Sequence, residues 1–253
     1  MGKIAVIGCG GTGSYLLPIL MRSIKADSSI TLFDGDAFTK ENLDRQLFRS
    51  DLIGVNKALA MKTMYPANNI TAVQKFLETS GQLKGFDLIF ACPDNHVART
   101  RVLTAADEYD IPAIICGNEF NSASATIYMP GWKGTPLDIR TRYPEILTDT
   151  SGSPTETSCT GKALESSPQL ALANNTSAVF AMQLMHFWFN QMSEELSSDK
   201  EAFQHFPVEF NWAPSRSYTI TVDLAEQEFE LKLQLKAEAE RKGKDGEQVS
   251  NNE

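Results

Sequence analysis

Short apolar runs alternate with longer amphipathic stretches over the first half of the chain. The amphipathic stretches have helical spacing and predict helices over residues 14–24, 54–65 and 97–110. The apolar runs have the length of buried β-strands, and they cover residues 3–7, 29–33, 70–76, 87–92 and 112–117. This alternation predicts an α/β fold with a Rossmann-like, doubly wound, mostly parallel sheet.

The pattern changes after Gly117. The run SASATIYMPG predicts a strand in an antiparallel extension of the sheet. Residues 133–168 are rich in Gly, Pro, Ser and Thr and predict a long crossover loop. Residues 170–192 then predict a long apolar helix, and residues 216–224 predict a late strand. We therefore expect one domain over residues 1–225 and a charged, disordered tail over residues 226–253.

The acidic composition limits the classes of partner. The 253 residues include 23 Lys and Arg against 32 Asp and Glu, which gives a formal net charge of -9 at pH 7. A nucleic-acid backbone needs basic patches, so we expect no nucleic-acid partner, whereas a nucleotide can be held by backbone amides and a few cations. No apolar run is long enough to span a bilayer, and the first residues lead directly into a strand. We therefore expect a cytoplasmic protein with no membrane partner.

A glycine-rich turn follows the first predicted strand and opens the first predicted helix. Asp34 ends the second strand, where a carboxylate can accept hydrogen bonds from ribose hydroxyls. The turn satisfies the pattern G-x-G-x-x-G, which lets the backbone approach phosphates at a helix N-terminus, with Gly8, Gly10, Gly11 and Gly13. These features alone fit an NAD(P)-dependent dehydrogenase and an ATP-using enzyme about equally, and a packing turn without a ligand is a third interpretation.

Three further charged residues, Arg45, Lys57 and Asp94, lie near the ends of predicted strands or at the start of a predicted helix. Ligands of open α/β sheets bind at the carboxyl ends of the strands, so we expect these side chains to converge on the glycine loop. Two cations and a strand-end carboxylate suit ATP. Attack at an α-phosphate builds negative charge and releases pyrophosphate, whereas hydride transfer needs none of these groups.

Four sequence runs carry five motifs in a fixed order. The runs are GCGGTGS, LFDGDAFTKENLDRQLF, GVNKA and DLIFACPDNHVARTR. Together they resemble the ThiF/MoeB/ubiquitin-activating adenylyltransferase superfamily, closely over residues 2–130 and more loosely over residues 155–190. The resemblance implies a homodimeric ThiF-type adenylation domain. It also implies that ATP and Mg²⁺ serve to adenylate the C-terminal glycine of a ubiquitin-like or sulfur-carrier β-grasp protein.

The resemblance further implies a role for each matched residue. The four loop glycines would line the ATP phosphates, and Asp34 would bind the ribose, with Asp36 in the same D-x-D motif. Residues that would contact phosphates are Asn42, Arg45, Gln46 and Lys57. Asp94 would coordinate Mg²⁺, and Asn95 and Arg99 would support the nucleotide edge of the site. The implied catalytic groups are Arg45, Lys57 and Asp94.

Some features depart from the family pattern. The paired C-x-x-C motifs of many members are absent, so no zinc is expected. The segment between Arg45 and Lys57 is one residue shorter than the commonest family spacing. The chain also begins directly at the first strand, without the N-terminal helices that some members use at the dimer interface.

The four cysteines divide into two kinds. Cys9, Cys92 and Cys116 lie in or beside apolar runs, which predicts buried and unreactive thiols. Cys159 lies in a polar stretch close to Lys162, and a thiol in such a setting can act as a nucleophile. The resemblance implies that Cys159 could receive the activated carrier as a thioester, and an incidental loop cysteine is the alternative interpretation.

Two other function classes compete with the adenylyltransferase. An NAD(P)-binding Rossmann oxidoreductase would leave Arg45, Lys57 and Asp94 without a role. A non-catalytic scaffold that binds a ubiquitin-like protein would have no use for all three.

Overall fold

The described part of the chain forms a twisted sheet with helices packed against it. In the computed structural model it comprises residues 2–67, 69–118, 123–135, 137–150, 171–193 and 209–212. Its strands form one seven-stranded sheet with the order β3-β2-β1-β4-β5-β6-β7.

The first five strands are parallel, as the alternating pattern predicts. They are β1 (Lys3–Ile7), β2 (Ser29–Phe33), β3 (Ile70–Val73), β4 (Leu88–Ala91) and β5 (Ala113–Asn118). All four residues of β4 are buried, because this central strand is covered on both faces. The connecting helices are α1 (Gly11–Ser23), α2 (Lys57–Met64) and α3 (His96–Tyr109). The prediction of a Rossmann-like, mostly parallel sheet is confirmed.

The sheet continues with two antiparallel strands. Strand β6 (Ala123–Tyr128) pairs with β5, and Ala113 lies opposite Tyr128. This confirms the predicted antiparallel extension. Strand β7 (Glu209–Trp212) pairs with β6 at the edge and was not predicted, since four residues are too short to show a clear alternation.

The long apolar helix is α6 (Ala171–Ser193), which packs against α1, β5 and β6. Successive turns of α6 bury both small and large side chains, among them Ala173, Ala181 and Leu184. The apolar composition of this helix therefore reflects burial in the core. No helix in the described ranges is both long and apolar enough to cross a membrane.

The segment predicted as a loop from residue 133 is partly helical. It contains two short helices, α4 (Ile139–Arg142) and α5 (Glu145–Thr148), which contact each other, and α5 packs against α3. The Thr100 hydroxyl donates to the Ile146 carbonyl at 2.6 Å, and Asp149 lies 4.0 Å from the His96 imidazole. The chain thus returns along α3 to the N-terminus of that helix, and tertiary contacts rather than local propensity fix these short helices.

A polar network attaches this returning segment to the sheet. The Arg140 guanidinium donates to Asp107, Asp138 and the Tyr128 hydroxyl at 2.9, 2.8 and 2.6 Å, and Tyr128 donates to Asp107 at 2.5 Å. Burial and the hydrogen bond to Asp107 raise the pKa of Tyr128. Its members come from β6, α3 and the start of α4, so the network fixes the path from β6 to α4.

Several sequence predictions lie outside the described residues. They concern the remainder of the crossover loop from residue 151, the strand over residues 216–224, the tail over residues 226–253 and Cys159.

Replacing Arg140 by Ala should destabilise the fold markedly. The change leaves the carboxylates of Asp107 and Asp138 without their main partner, and these side chains are only 10% and 5% exposed. We expect a loss of about 2–3 kcal/mol in the free energy of unfolding, measured by urea titration.

The control is Arg49→Ala, which breaks the exposed ion pair with Asp51. This variant should unfold close to wild type, because exposed ion pairs contribute little. Equal effects of the two substitutions would contradict the structural role of the network.

Candidate active site

A polar cleft lies at the carboxyl edge of the parallel strands. It contains about 980 Å³ of empty space, including its open mouth. Strand β1 leads into its floor, and the ends of β2 and β4 form its two sides. The sequence-predicted residues that line it are Gly8, Gly10, Gly11, Asp34, Asp36, Asn42, Arg45, Gln46, Lys57, Asp94 and Asn95.

The glycine loop depends on close backbone packing. Gly8 has a φ of +90°, and a Cβ atom there would lie 2.8 Å from the Cys92 carbonyl oxygen. A Cβ atom on Gly13 would collide with the Gly8 carbonyl. Gly13 does not line the cleft, so its position is explained by the approach of α1 to β1 rather than by a ligand.

Asp34 links the glycine loop to the following turn. Its carboxylate accepts hydrogen bonds from the backbone N–H groups of Cys9 and Asp36, at 2.7 and 2.8 Å. Burial raises the pKa of the Asp34 carboxyl, while the nearby Lys57 charge and these two hydrogen bonds act in the opposite direction. A carboxylate that is 6% exposed therefore lies in the wall of the cleft with two donors already bound.

Lys57 begins α2 and points back to the same turn. Its ammonium lies 3.2 Å from the Asp36 carboxylate, and its backbone N–H donates to the Asp36 carbonyl at 2.8 Å. Asn56 precedes it, caps α2 and donates its side-chain amide to the Asp34 carbonyl at 2.8 Å. These bonds place the Lys57 side chain, which is 12% exposed, beside Asp34. Asn56 lies in the GVNKA run, yet its role as a brace was not predicted.

Residues 39–46 form the side of the cleft beyond β2. The Arg45 guanidinium donates to the Glu41 carbonyl at 2.6 Å and to the Asp44 carboxylate at 3.0 Å. The Asn42 side chain accepts from the Thr39 backbone at 3.1 Å and so closes a short helical turn. Asn42 therefore shapes this segment, and it lines the cleft together with Arg45 and Gln46.

The segment after β4 contributes the opposite side. Asp94 is exposed and lines the cleft, and Asn95 caps α3 by accepting from the Ala98 N–H at 2.8 Å. Arg99 does not line the cleft: it donates to the Cys116 carbonyl at 3.2 Å beneath it. Burial lowers the pKa of Arg99.

Arg101, two residues further along α3, lines the cleft in place of Arg99 and donates to the Leu77 carbonyl at 2.8 Å. Both arginines lie in the run DLIFACPDNHVARTR, and the rotation of α3 decides which of them faces the cleft. Other cleft residues that sequence reasoning missed are Thr12, Phe76, Leu77 and Asn118. Phe76 lies three residues after the end of β3, and its place at the end of a predicted strand was the available signal. Its ring packs over the Gly35 backbone.

The cysteines near the cleft differ in exposure. Cys9 and Cys116 are buried as predicted, whereas Cys92 is only partly buried and lines the cleft. A hydrogen bond with Cys116, together with burial, raises the pKa of Cys92, so its thiol is a poor nucleophile. Within the described ranges, no group of three or more His, Cys, Asp or Glu could hold a metal ion.

A doubly wound sheet with a glycine loop and a polar cleft at its carboxyl edge is the architecture of nucleotide-binding α/β proteins. The model of the ThiF family matches residues 1–164 of this chain. The chain therefore belongs to the ThiF family.

Known proteins similar to this chain share only part of it. Ubiquitin-like modifier-activating enzyme 5 of Oryza sativa subsp. japonica is 33% identical over 126 residues, which cover 42% of this chain and 30% of that protein. The protein of the same name from Aedes aegypti is 32% identical over 144 residues, which cover 49% of this chain and 36% of that protein. The chain thus spans about a third of the length of these relatives.

Solved structures agree on the fold. Escherichia coli MccB with ATP superposes with a TM-score of 0.52 at 22% identity, over 74% of this chain and 55% of that one. PaaA superposes with a TM-score of 0.55 at 20% identity, over 87% of this chain and 71% of that one. At this identity the likeness concerns the fold alone.

Replacing Gly13 by Ala should destabilise the protein. An Ala in a helix is ordinarily more stable than Gly by about 1 kcal/mol, but here its Cβ atom would meet the Gly8 carbonyl. We expect a net loss of about 3 kcal/mol, measured by thermal unfolding.

Gly81→Ala is the matched control. It also lies in a helical turn, and its Cβ atom would have no neighbour closer than 3.8 Å. Its unfolding temperature should stay near that of wild type. A Gly13→Ala protein that is as stable as this control would rule out the close packing of α1 on β1.

Proposed function

We propose that this protein is an ATP-dependent adenylyltransferase that activates the C-terminal glycine of a ubiquitin-like or sulfur-carrier β-grasp protein. The observation that carries the proposal is the convergence of Arg45, Lys57 and Asp94 on one glycine-loop cleft. These residues come from three separate segments, and a packing turn alone would not require them at one cleft.

The proposed reaction uses the charges of the cleft. A carboxylate oxygen of the carrier attacks the α-phosphorus of ATP, the bond to the β-phosphate oxygen breaks, and pyrophosphate leaves with its electron pair. Arg45 and Lys57 stabilise the negative charge that develops on the phosphates. Asp94 supplies a hard carboxylate oxygen of the kind that Mg²⁺ prefers, and the bound ion would neutralise phosphate charge.

The walls of the cleft fit a polar ligand with phosphates. The N-terminus of α1 contributes unpaired backbone N–H groups and a partial positive charge. Thr12 Oγ1 and Gln46 Oε1 are buried and have no hydrogen-bond partner among the described residues. Buried polar groups of this kind ordinarily have partners, so their positions favour a bound polar ligand.

The similar proteins support the same function. The curated relatives are called ubiquitin-like modifier-activating enzymes, and MccB has been solved with ATP and with MccA. We extend the proposal to ATP and Mg²⁺ use without zinc. We also propose a homodimer that works in the cytoplasm, with no nucleic-acid or membrane partner. The net charge of -9 supports the absence of a nucleic-acid partner.

An NAD(P)-dependent oxidoreductase is the weaker alternative. Lys57 lies 3.2 Å from Asp36, close to the buried Asp34, and Arg45 lines the same cleft. A nicotinamide reaction gives these cations no role. A binding scaffold would leave the same groups unused.

Lys57→Ala and Asp94→Ala should each lower ATP–pyrophosphate exchange by about 100-fold or more, because each removes a charge that stabilises the reacting phosphates. The assay uses the full chain, radiolabelled pyrophosphate, Mg²⁺ and a β-grasp carrier that ends in Gly-Gly. Lys62→Ala is the control, since Lys62 is exposed one turn further along α2 and should leave exchange unchanged.

Binding of NADH by the wild-type protein, together with a failure to bind Mg·ATP, would overturn the adenylyltransferase proposal. Mg·ATP binding without exchange for any β-grasp carrier would instead favour the scaffold.

We further propose that Cys159 accepts the activated carrier. Its thiolate would attack the acyl carbon of the adenylate, forming a thioester and releasing AMP. Cys159 lies outside the described residues. The described chain before it reaches the start of α3, where Asp149 lies 4.0 Å from His96, and the described chain after it brings Asn174 to the Arg45 carbonyl. Both His96 and Arg45 are next to or among the residues that line the cleft, which supports the proposal.

Cys159→Ala should abolish a carrier adduct that thiol reductants cleave, as seen on non-reducing gels. ATP–pyrophosphate exchange should persist in this variant, because adenylation precedes the transfer. Persistence of the adduct in Cys159→Ala would exclude Cys159 as the acceptor.

A further inference from the structure

The first turn of α6 carries a fully buried amide, Asn174, at the rim of the cleft. Its side chain is 0% exposed, and a buried amide is costly unless it is hydrogen-bonded. Asn174 Nδ2 donates to the Arg45 carbonyl at 2.9 Å, and its Oδ1 accepts from the Asn118 side chain. Both partners line the cleft, although they are far from Asn174 in sequence.

The same amide lies directly against the glycine loop. A Cβ atom on Gly11 would lie 2.5–2.7 Å from the Oδ1, Nδ2 and Cγ atoms of Asn174. Gly11 is the first residue of α1, so the amide touches the helix N-terminus that faces the cleft. One side chain of α6 therefore contacts the glycine loop, the Arg45 segment and the end of β5.

The segment around Arg45 is held on both sides. Asn174 binds the Arg45 carbonyl, and the buried Ser14 hydroxyl accepts from the Leu47 N–H at 3.0 Å. The guanidinium of Arg45 extends from this fixed backbone and is 17% exposed. Loss of the hydrogen bond from Asn174 would free the backbone of Arg45, and the position of its charged guanidinium depends on that backbone.

We propose that Asn174 is a positioning residue that holds the Arg45 guanidinium in register with the glycine loop for the phosphates of a bound nucleotide. The inference rests on the proposed ATP site. It adds that α6, none of whose described residues lines the cleft, determines the geometry of its phosphate end through Asn174.

The test compares Mg·ATP dissociation constants by isothermal titration calorimetry on the full chain. Asn174→Asp keeps the size of the side chain and the oxygen that accepts from Asn118. It replaces the Nδ2 donor by an oxygen, which cannot donate to the Arg45 carbonyl. We expect its dissociation constant to rise about tenfold, the usual loss for one broken buried hydrogen bond. In an Arg45→Ala background the same substitution should change the constant by less than about twofold, because coupled residues are not additive.

Ser177→Ala is the matched control. Ser177 lies one turn along α6, is also 0% exposed, and donates to the Ser124 carbonyl of β6 at 2.8 Å, away from the cleft. This variant should lower the unfolding temperature while it leaves the dissociation constant within about twofold of wild type. Should Asn174→Asp not fold, Asn174→Ala takes its place, since it removes the same bond to Arg45.

The outcomes separate the two proposals. A wild-type protein that does not bind Mg·ATP overturns the proposed function, and this inference with it. If wild type binds Mg·ATP, an unchanged dissociation constant in the Asn174 variant overturns the positioning role alone. The positioning role is also overturned if the Asn174 substitution weakens binding equally in wild type and in the Arg45→Ala background. A tenfold loss of Mg·ATP affinity that disappears in the Arg45→Ala background supports the positioning role.

Discussion

The close approach of Gly8 to the Cys92 carbonyl is the contact on which the cleft depends. Gly8 adopts a φ of +90°, and a Cβ atom there would lie 2.8 Å from that oxygen. The approach brings the ends of β1 and β4 together and directs the chain into α1, where Gly13 packs on Gly8 in turn. The cleft, the position of the N-terminus of α1 and the position of Asp94 all follow from this packing.

The electrostatics of the cleft balance a buried carboxylate against nearby donors and a cation. Burial of Asp34 disfavours its charge, and the N–H groups of Cys9 and Asp36 and the charge of Lys57 oppose that cost. A buried carboxylate is costly to fold unless hydrogen-bond donors and an opposite charge compensate it, as they do here. Asn56 fixes the turn that positions these donors, because its side-chain amide donates to the backbone carbonyls of Asp34 and Asp36.

Much of the fold follows from short-range sequence patterns. Parallel strands buried on both faces appear as continuous apolar runs, which is why KIAVI and LIFA were predicted as strands. Short elements whose stability comes from distant contacts gave no such signal. Helices α4 and α5 depend on α3 and on the network around Arg140, and β7 depends on pairing with β6.

The candidate site was predictable to the level of motifs but not of single side chains. The position of Arg99 matched the family pattern, yet the rotation of α3 buries it against the Cys116 carbonyl and directs Arg101 to the cleft. Asn174 carries no motif, and its role depends on contacts with Gly11, Arg45 and Asn118 that sequence separation conceals.

The sequence alone therefore determined the parallel sheet, the glycine loop and the charged residues at its edge, because these depend on local pattern and spacing. Only the tertiary structure decided which of those residues line the cleft and which support it from behind. That choice depends on helix rotation and on close backbone contacts between segments far apart in the chain, and no local pattern records them.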